Sequence, residues 1–241
     1  IAMAEYTIGT MLALALDLFN VDKSFRDGSW ENWPGLTHTK LINNEIFGKK
    51  IGIIGYGLIG QECAKRAKSL GMKVMGINRK IKKVLPQNLD WHGSTDEIDK
   101  LLSESDYVLL ACDLNKTTHN LINKETLGKM KKTSFLINIA RGNVCNEDDL
   151  YNCLKNKKIA GAAIDTWWVY PYSDKENKNP MPSNLPFHEL TNLIMSPHNS
   201  SNSLESDIRR AEFMSKNFLA FKNNDVVPGF VFYGTGNKVE V

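Results

Sequence analysis

The 241 residues, 42% hydrophobic and 24% charged, have the make-up of an ordinary globular chain, long enough for one large domain or two small ones. A net charge of +3, from 30 basic and 27 acidic residues, is too small and too dispersed to point to nucleic acid or an acidic membrane surface as partner. Cys63, Cys112, Cys145 and Cys153 form no CxxC pair and share no metal-ligand rhythm with the five histidines, which predicts reduced thiols in a cytoplasmic protein and no metal site.

Residues 1–20 are apolar almost all round, interrupted by Glu5 and Asp17, with neither a cationic leader nor a small-residue cleavage site. This pattern predicts a buried helix rather than a signal peptide or a membrane span. The chain opens on Ile1 inside that pattern without an initiator Met, so a natural N-terminal portion is expected to precede it. Residues 21–44 read as a polar connector in which Trp30 and Trp33, beside Pro34 and Gly35, are packing anchors.

The stretch that organises the rest is residues 49–79, KKIGIIGYGLIGQECAKRAKSLGMKVMGINR. An apolar strand (51–54) gives way to Gly55, Gly57 and Gly60, then a helical pattern (61–70) and a second apolar strand (73–77). Strand, glycine turn, helix, strand is the context that a dinucleotide fingerprint requires. Gly55 makes the tight turn, Gly57 lets the backbone approach a pyrophosphate, and Gly60 lets the helix pack on the strand. The helix N-terminus then offers free N–H groups and partial positive charge to the phosphates.

The alternation continues with helices over 95–103, 124–130 and 147–156 and strands over 107–111, 134–139, 160–164 and 192–195. Continuous apolar runs between helices predict strands buried on both faces, hence an α/β fold with a doubly wound, mostly parallel Rossmann sheet. Cys112 and Asp113, Arg141, Asp165 and His198 each stand just beyond the last apolar residues of a strand. In an open α/β sheet those strand ends share one edge, where ligands bind. Residues 166–189 form a long irregular insert with Trp167, Trp168, Tyr170 and Tyr172, expected to act as a lid at that edge. A final helix (203–221) and a short extended piece (226–232) close the chain.

Several stretches together resemble the D-isomer-specific 2-hydroxyacid dehydrogenase family. They are the helix start at Ala4 and Glu5, the connector with Arg26, Gly28 and Trp30, GIIGYGLIGQ, residues 118–122 (THNLI), LINIARGNV around Arg141, GAAIDTW around Asp165, and SPH ending at His198. The resemblance runs from end to end. It implies a dinucleotide-binding domain over residues 1–200, with 1–20 as an interdomain and dimer helix, and a C-terminal helix and tail (201–241) returning to a substrate domain whose first portion is largely absent. It implies a homodimeric oxidoreductase that moves a hydride between NAD(P)H and a small 2-keto acid such as glyoxylate or hydroxypyruvate. Arg141 then binds the carboxylate and polarises the carbonyl, and His198 gives the proton. Asp165 holds the nicotinamide carboxamide, Leu58 and Ile59 cap the pyrophosphate through their backbone, and Cys112, Asp113, Thr118, Ile139 and Ala140 line the cofactor. His38, His92, His119 and His188 read as surface or core.

Two positions depart from the family. Its catalytic glutamate, five positions after the aspartate and before a proline, is here Tyr170, followed by Pro171. A glutamate favours the charged imidazole, whereas a tyrosine orients the ring without charge, so reduction is expected to fall off at a lower pH than in relatives with the carboxylate. Asp174, Glu176 or Glu189 could fold back to substitute. The acid that meets the ribose 2′-hydroxyl in NAD-preferring members is replaced by Asn78, followed by Arg79 and Lys80 in a basic run with Lys82 and Lys83. Loss of the carboxylate and gain of cations favour NADP over NAD. The competing reading is a catalytically weakened NAD(P)-binding regulatory or scaffold protein, kept open by Tyr170. Formate-type oxidation, which also lacks the glutamate, has nothing else in its favour.

Overall fold

The computed structural model describes residues 1–28, 43–79, 81, 84–171 and 181–227. The chain divides into two compact units, one over residues 3–200 and one beginning at Ser201. Among its described residues the second contains one long helix, α7 (Leu204–Lys222), started by a capping box between Ser203 and Ser206.

Seven strands make one sheet: β1 (Lys50–Ile54), β2 (Lys73–Asn78), β3 (Trp91–Ser94), β4 (Tyr107–Leu110), β5 (Phe135–Asn138), β6 (Gly161–Ile164) and β7 (Leu193–Met195). Their order is β3-β2-β1-β4-β5-β6-β7, and every pairing is parallel. The order reverses between β1 and β4, the switch point at which a doubly wound sheet opens a crevice.

Alternation along the strands feeds two cores. Ile51, Ile53, Val74, Leu109, Ile137 and Ala163 face one side, packed with α1 (Ala2–Ala15) and α3 (Leu58–Ser69) through Ala4, Met11, Cys63 and Ala67. Ile54, Ile77, Val108, Leu110, Leu136 and Ile164 face the other. They meet α4 (Ile98–Glu104), α5 (Lys124–Leu127) and α6 (Glu147–Lys155) through Leu101, Leu127, Leu150 and Leu154. Burial on both faces is why these strands read as unbroken apolar runs.

Three expectations need correction. The predicted helix over 1–20 breaks at Asp17, whose backbone is left-handed (φ 49°), and α2 (Leu18–Arg26) departs at 58°. A short polar side chain tolerates that conformation, and Asn20 Nδ2 donates to Asp17 Oδ1 at 2.7 Å to hold it. Only α1 is buried; α2 buries none of its residues. The strand β3 was not predicted, because an edge strand reading WHGS has no apolar run to betray it. The helix expected over 124–130 ends after one turn, at Gly128. Among the described residues no single helix is long and apolar enough to cross a membrane. Residues Trp30, Trp33, Lys80, Lys82, Lys83, Tyr172, Asp174 and Glu176, and most of 226–232, lie outside the described residues.

Candidate active site

Because the sheet is wholly parallel, the C-terminal ends of β1, β2, β4, β5, β6 and β7 bring the glycine turn, Asn78, Cys112, Arg141, Asp165 and His198 to one rim. Arg141 and His198 are separated only by the end of β6, about 10 Å at two strand spacings.

The turn after β1 has the shape expected of a phosphate cradle. Gly55 sits at φ 96°, and a Cβ there would come 2.7 Å from the Ala111 carbonyl oxygen and from the Cys112 backbone. Gly60 lies so close to β1 that a Cβ would meet the Gly55 oxygen at 2.7 Å. Gly57 differs: a Cβ there would meet nothing within 4 Å, so its bareness serves a space outside the protein rather than packing inside it. No side chain caps α3, which leaves its first N–H groups to that space, and Leu58 beside it is 84% exposed. A dinucleotide pyrophosphate fits this cradle, since it brings both the missing acceptors and the cover for Leu58.

At the ends of β4 and β5 the loops are knit by their own side chains. Thr118 Oγ1 donates to the Asp113 carbonyl at 2.6 Å and accepts the Asn115 N–H at 2.8 Å, which fixes the turn after β4. Cys112 is half-buried, and burial pushes its thiol up to about 11, so it presents an uncharged lining. Ile139 and Ala140 are buried. Asn138, fully buried, accepts the Ala140 N–H at 3.0 Å and donates to the Arg141 carbonyl at 3.0 Å. That double contact sets the backbone from which the exposed Arg141 side chain projects, with Nη1 donating to the Ala140 carbonyl at 2.6 Å.

Asp165 is buried at the end of β6. It is 0% exposed and accepts from the Ser196 hydroxyl at 2.5 Å, the Asn199 N–H at 3.0 Å and the Ser200 N–H at 3.1 Å. It holds the loop after β7, in which His198 adopts a left-handed backbone (φ 57°) that is uncommon outside glycine. Ser196 is held further by Tyr6, whose hydroxyl lies 2.6 Å from Ser196 Oγ, and by Trp167 Nε1, which donates to the Ser196 carbonyl at 2.8 Å. Burial raises the Tyr6 phenol, which keeps it protonated as a donor.

The Tyr170 hydroxyl lies 2.9 Å from His198 Nδ1 and accepts the Trp167 N–H at 3.3 Å. When the hydroxyl donates to Nδ1, the neutral imidazole carries its proton on Nε2, the nitrogen turned away from Tyr170. Glu189 ends a short 3-10 turn (Phe187–Glu189) and, among the described residues, makes no hydrogen bond to His198. Beside Tyr170 a cavity of about 400 Å³ opens among Trp167, Val169, Pro182, Met195 and Pro197. A larger one, about 600 Å³, lies where β5, β6 and β7 begin, lined by Phe135, Ala160 and Leu193, and so on the opposite rim from these groups.

Sequence reasoning missed Asn138, Ser196 and Tyr6, which fix the loops carrying Arg141 and His198. On the β2 side it named Asn78 and Arg79, and the structure adds a partner: His92 Nε2 stands 3.1 Å from Asn78 Oδ1.

Comparison with known proteins agrees with this geometry. Residues 8–200 match the family described as D-isomer specific 2-hydroxyacid dehydrogenase, NAD binding domain. A glyoxylate reductase from Pyrococcus horikoshii is 36% identical over 231 residues, covering 95% of this chain and 66% of that protein. One from Thermofilum pendens is 36% identical over 235 residues, covering 95% and 64%. The chain therefore spans just under two thirds of the length of these relatives. Among solved structures, a D-isomer specific 2-hydroxyacid dehydrogenase from Lactobacillus delbrueckii ssp. bulgaricus, in an NAD-complexed form, superposes with a TM-score of 0.80 at 25% identity, covering 96% of this chain and 69% of that one. An acyclic imino acid reductase in complex with NADPH and D-Arg gives 0.76 at 28% identity, covering 94% and 66%.

Proposed function

From the premise that this chain belongs to the D-isomer specific 2-hydroxyacid dehydrogenases, through their NAD-binding domain, we propose that it reduces a small 2-keto acid, glyoxylate or one like it, with a nicotinamide cofactor. The observation that carries the reading is the convergence of the glycine cradle, Arg141 and a Tyr170-oriented His198 on one rim of the sheet.

The cofactor supplies the hydride. The chain's own residues do the rest. The cradle around Gly57 and the start of α3 hold the pyrophosphate, while Cys112, Asp113, Thr118, Ile139 and Ala140 wall the crevice toward the switch point. The Arg141 guanidinium binds the substrate carboxylate in its two-pronged fork and draws electron density from the neighbouring carbonyl. His198, as the imidazolium, gives its Nε2 proton to the carbonyl oxygen as that becomes a hydroxyl and is left neutral, while its Nδ1–H donates to the Tyr170 oxygen and keeps the ring aimed through the transfer. Asp165 acts through the loop it clamps, a support for His198.

NADP is the preferred form, because Asn78 brings no negative charge and Arg79, exposed at the same strand end, brings a positive one. Residues 1–200 act as the dinucleotide-binding domain and the helix from Ser201 returns to a substrate domain. The exposed apolar residues of α2, Phe19 and Phe25, suit a homodimer contact. Four free cysteines fit the cytoplasm.

The test is consumption of NADPH and NADH against a panel of 2-keto acids. Glyoxylate-type turnover that drops about a hundredfold or more in His198→Asn supports the reading. Cofactor binding without turnover of any keto acid would replace it with the regulatory alternative.

A further inference from the structure

The end of β2 carries an arrangement that the mechanism above does not use. His92 lies on the edge strand β3 directly opposite Gly76, two residues before Asn78 and on the same face of β2. Leu89 and Tyr56 cover the face at Gly76, and the imidazole brings Nε2 to 3.1 Å from Asn78 Oδ1. Tyr56 flanks it, with ring centroids 6.4 Å apart, and is itself pinned by its hydroxyl donating to the Gln87 carbonyl at 2.6 Å. With the amide oxygen assigned toward His92, that oxygen can only accept, so the proton of the bond belongs to His92 Nε2. With its oxygen held toward His92, the side chain turns the two N–H donors of its Nδ2 the other way, toward a ligand.

We propose that His92 is a specificity-determining residue for the 2′ position of the adenosine ribose. By holding the Asn78 oxygen it leaves a donor-only amide at the strand end, next to the exposed Arg79 guanidinium. Donors beside a cation suit the oxygens of a 2′-phosphate, whereas a 2′-hydroxyl finds no acceptor there to donate to. Freed of His92, the amide can turn its oxygen outward and serve the hydroxyl instead. The inference rests on the reading of this rim as a dinucleotide site.

The experiment compares dissociation constants of NADPH and NADH, from quenching of tryptophan emission, for the wild-type chain, His92→Phe and His92→Gln. Phenylalanine keeps a ring beside Tyr56 without the donor; glutamine restores a donor at similar reach. The expected result is that His92→Phe lowers the NADPH-to-NADH preference about tenfold, with NADH binding held or improved, and that His92→Gln recovers most of it. An unchanged ratio in His92→Phe, equal weakening of both cofactors, or His92→Gln no better than His92→Phe overturns the proposal. A wild-type chain that binds neither cofactor overturns the dinucleotide reading and this inference with it. Tighter NADH binding by the wild-type chain overturns the NADP preference alone, and the shift in His92→Phe still decides the role of His92.

Discussion

At the scale of single residues, His198 is held by more groups than its chemistry requires, and each has a distinct consequence. Its left-handed backbone is retained because Asp165 takes the N–H groups of the next two residues, and its ring is aimed by a neutral phenol. Replacing Tyr170 with glutamate puts a negative charge against Nδ1 and favours the charged imidazole. The pH at which keto acid reduction declines should therefore move upward in Tyr170→Glu, and a pH profile of kcat/KM superimposable on the wild type would refute the assigned contact. Cys112 offers a second, independent check. Its thiol is pushed up to about 11, so at neutral pH only a minute fraction is thiolate, and alkylation by iodoacetamide should be slow at pH 7 and accelerate steadily toward pH 10. Rapid labelling at pH 7 would contradict the burial assigned to it. Arg141, Asp165 and His198 were legible because they follow apolar runs. Ser196 and Tyr6 were not, because a serine between Asp165 and Tyr6 depends on partners 31 and 190 positions away.

At the scale of elements, the β1–α3 joint shows why a glycine pattern reads so clearly. Gly55 answers to backbone geometry, Gly60 to a helix lying on its strand, and Gly57 opens on space that no protein atom fills, so three identical residues stand in three different settings. They make different predictions. Gly60→Ala forces a methyl to 2.7 Å from the Gly55 carbonyl, where only backbone can yield, and should cost about 1–3 kcal/mol of stability in a denaturant titration. Gly57→Ala meets no protein atom, so its stability should change little while its affinity for either dinucleotide falls; a binding-neutral Gly57→Ala would remove the cradle from the site. Elements without such signals were misjudged. Among the described residues the edge strand β3 pairs only with β2 and needs no apolar run, and the break between α1 and α2 rests on one aspartate in a conformation that hydrophobicity does not encode.

At the scale of the whole α/β unit, the two rims of the sheet have separate tasks. The candidate site residues stand at the strand C-termini, while two partly exposed ion pairs stand where strands begin. Asp106 accepts the Lys50 N–H at 2.8 Å and Lys131 Nζ at 2.9 Å; Asp90 accepts the Val74 N–H at 2.7 Å and Lys68 Nζ at 2.8 Å. Burial pushes the Asp106 carboxyl up, but the Lys50 N–H and the Lys131 ammonium outweigh it and hold the group below the ordinary carboxylate value. A carboxyl depressed by folding contributes stability that is fully present above its unfolded value, about 3.9, and is lost as pH falls through the folded one. Its side chain is 22% exposed and that of Lys131 35%, so solvent screens the ion pair in part and the backbone N–H bond from Lys50 carries the larger share. Asp106→Asn should thus lower the unfolding free energy by about 1–2 kcal/mol at pH 7 and by clearly less near pH 3, where the wild-type carboxyl is itself being protonated. Urea titrations at the two pH values measure it, and an equal loss at both would show that the charge is not what stabilises this rim. Affinity for NADPH should stay unchanged in the same variant, since the contact lies a full strand length from the cradle; a coupled loss would mean that the two rims do not act separately.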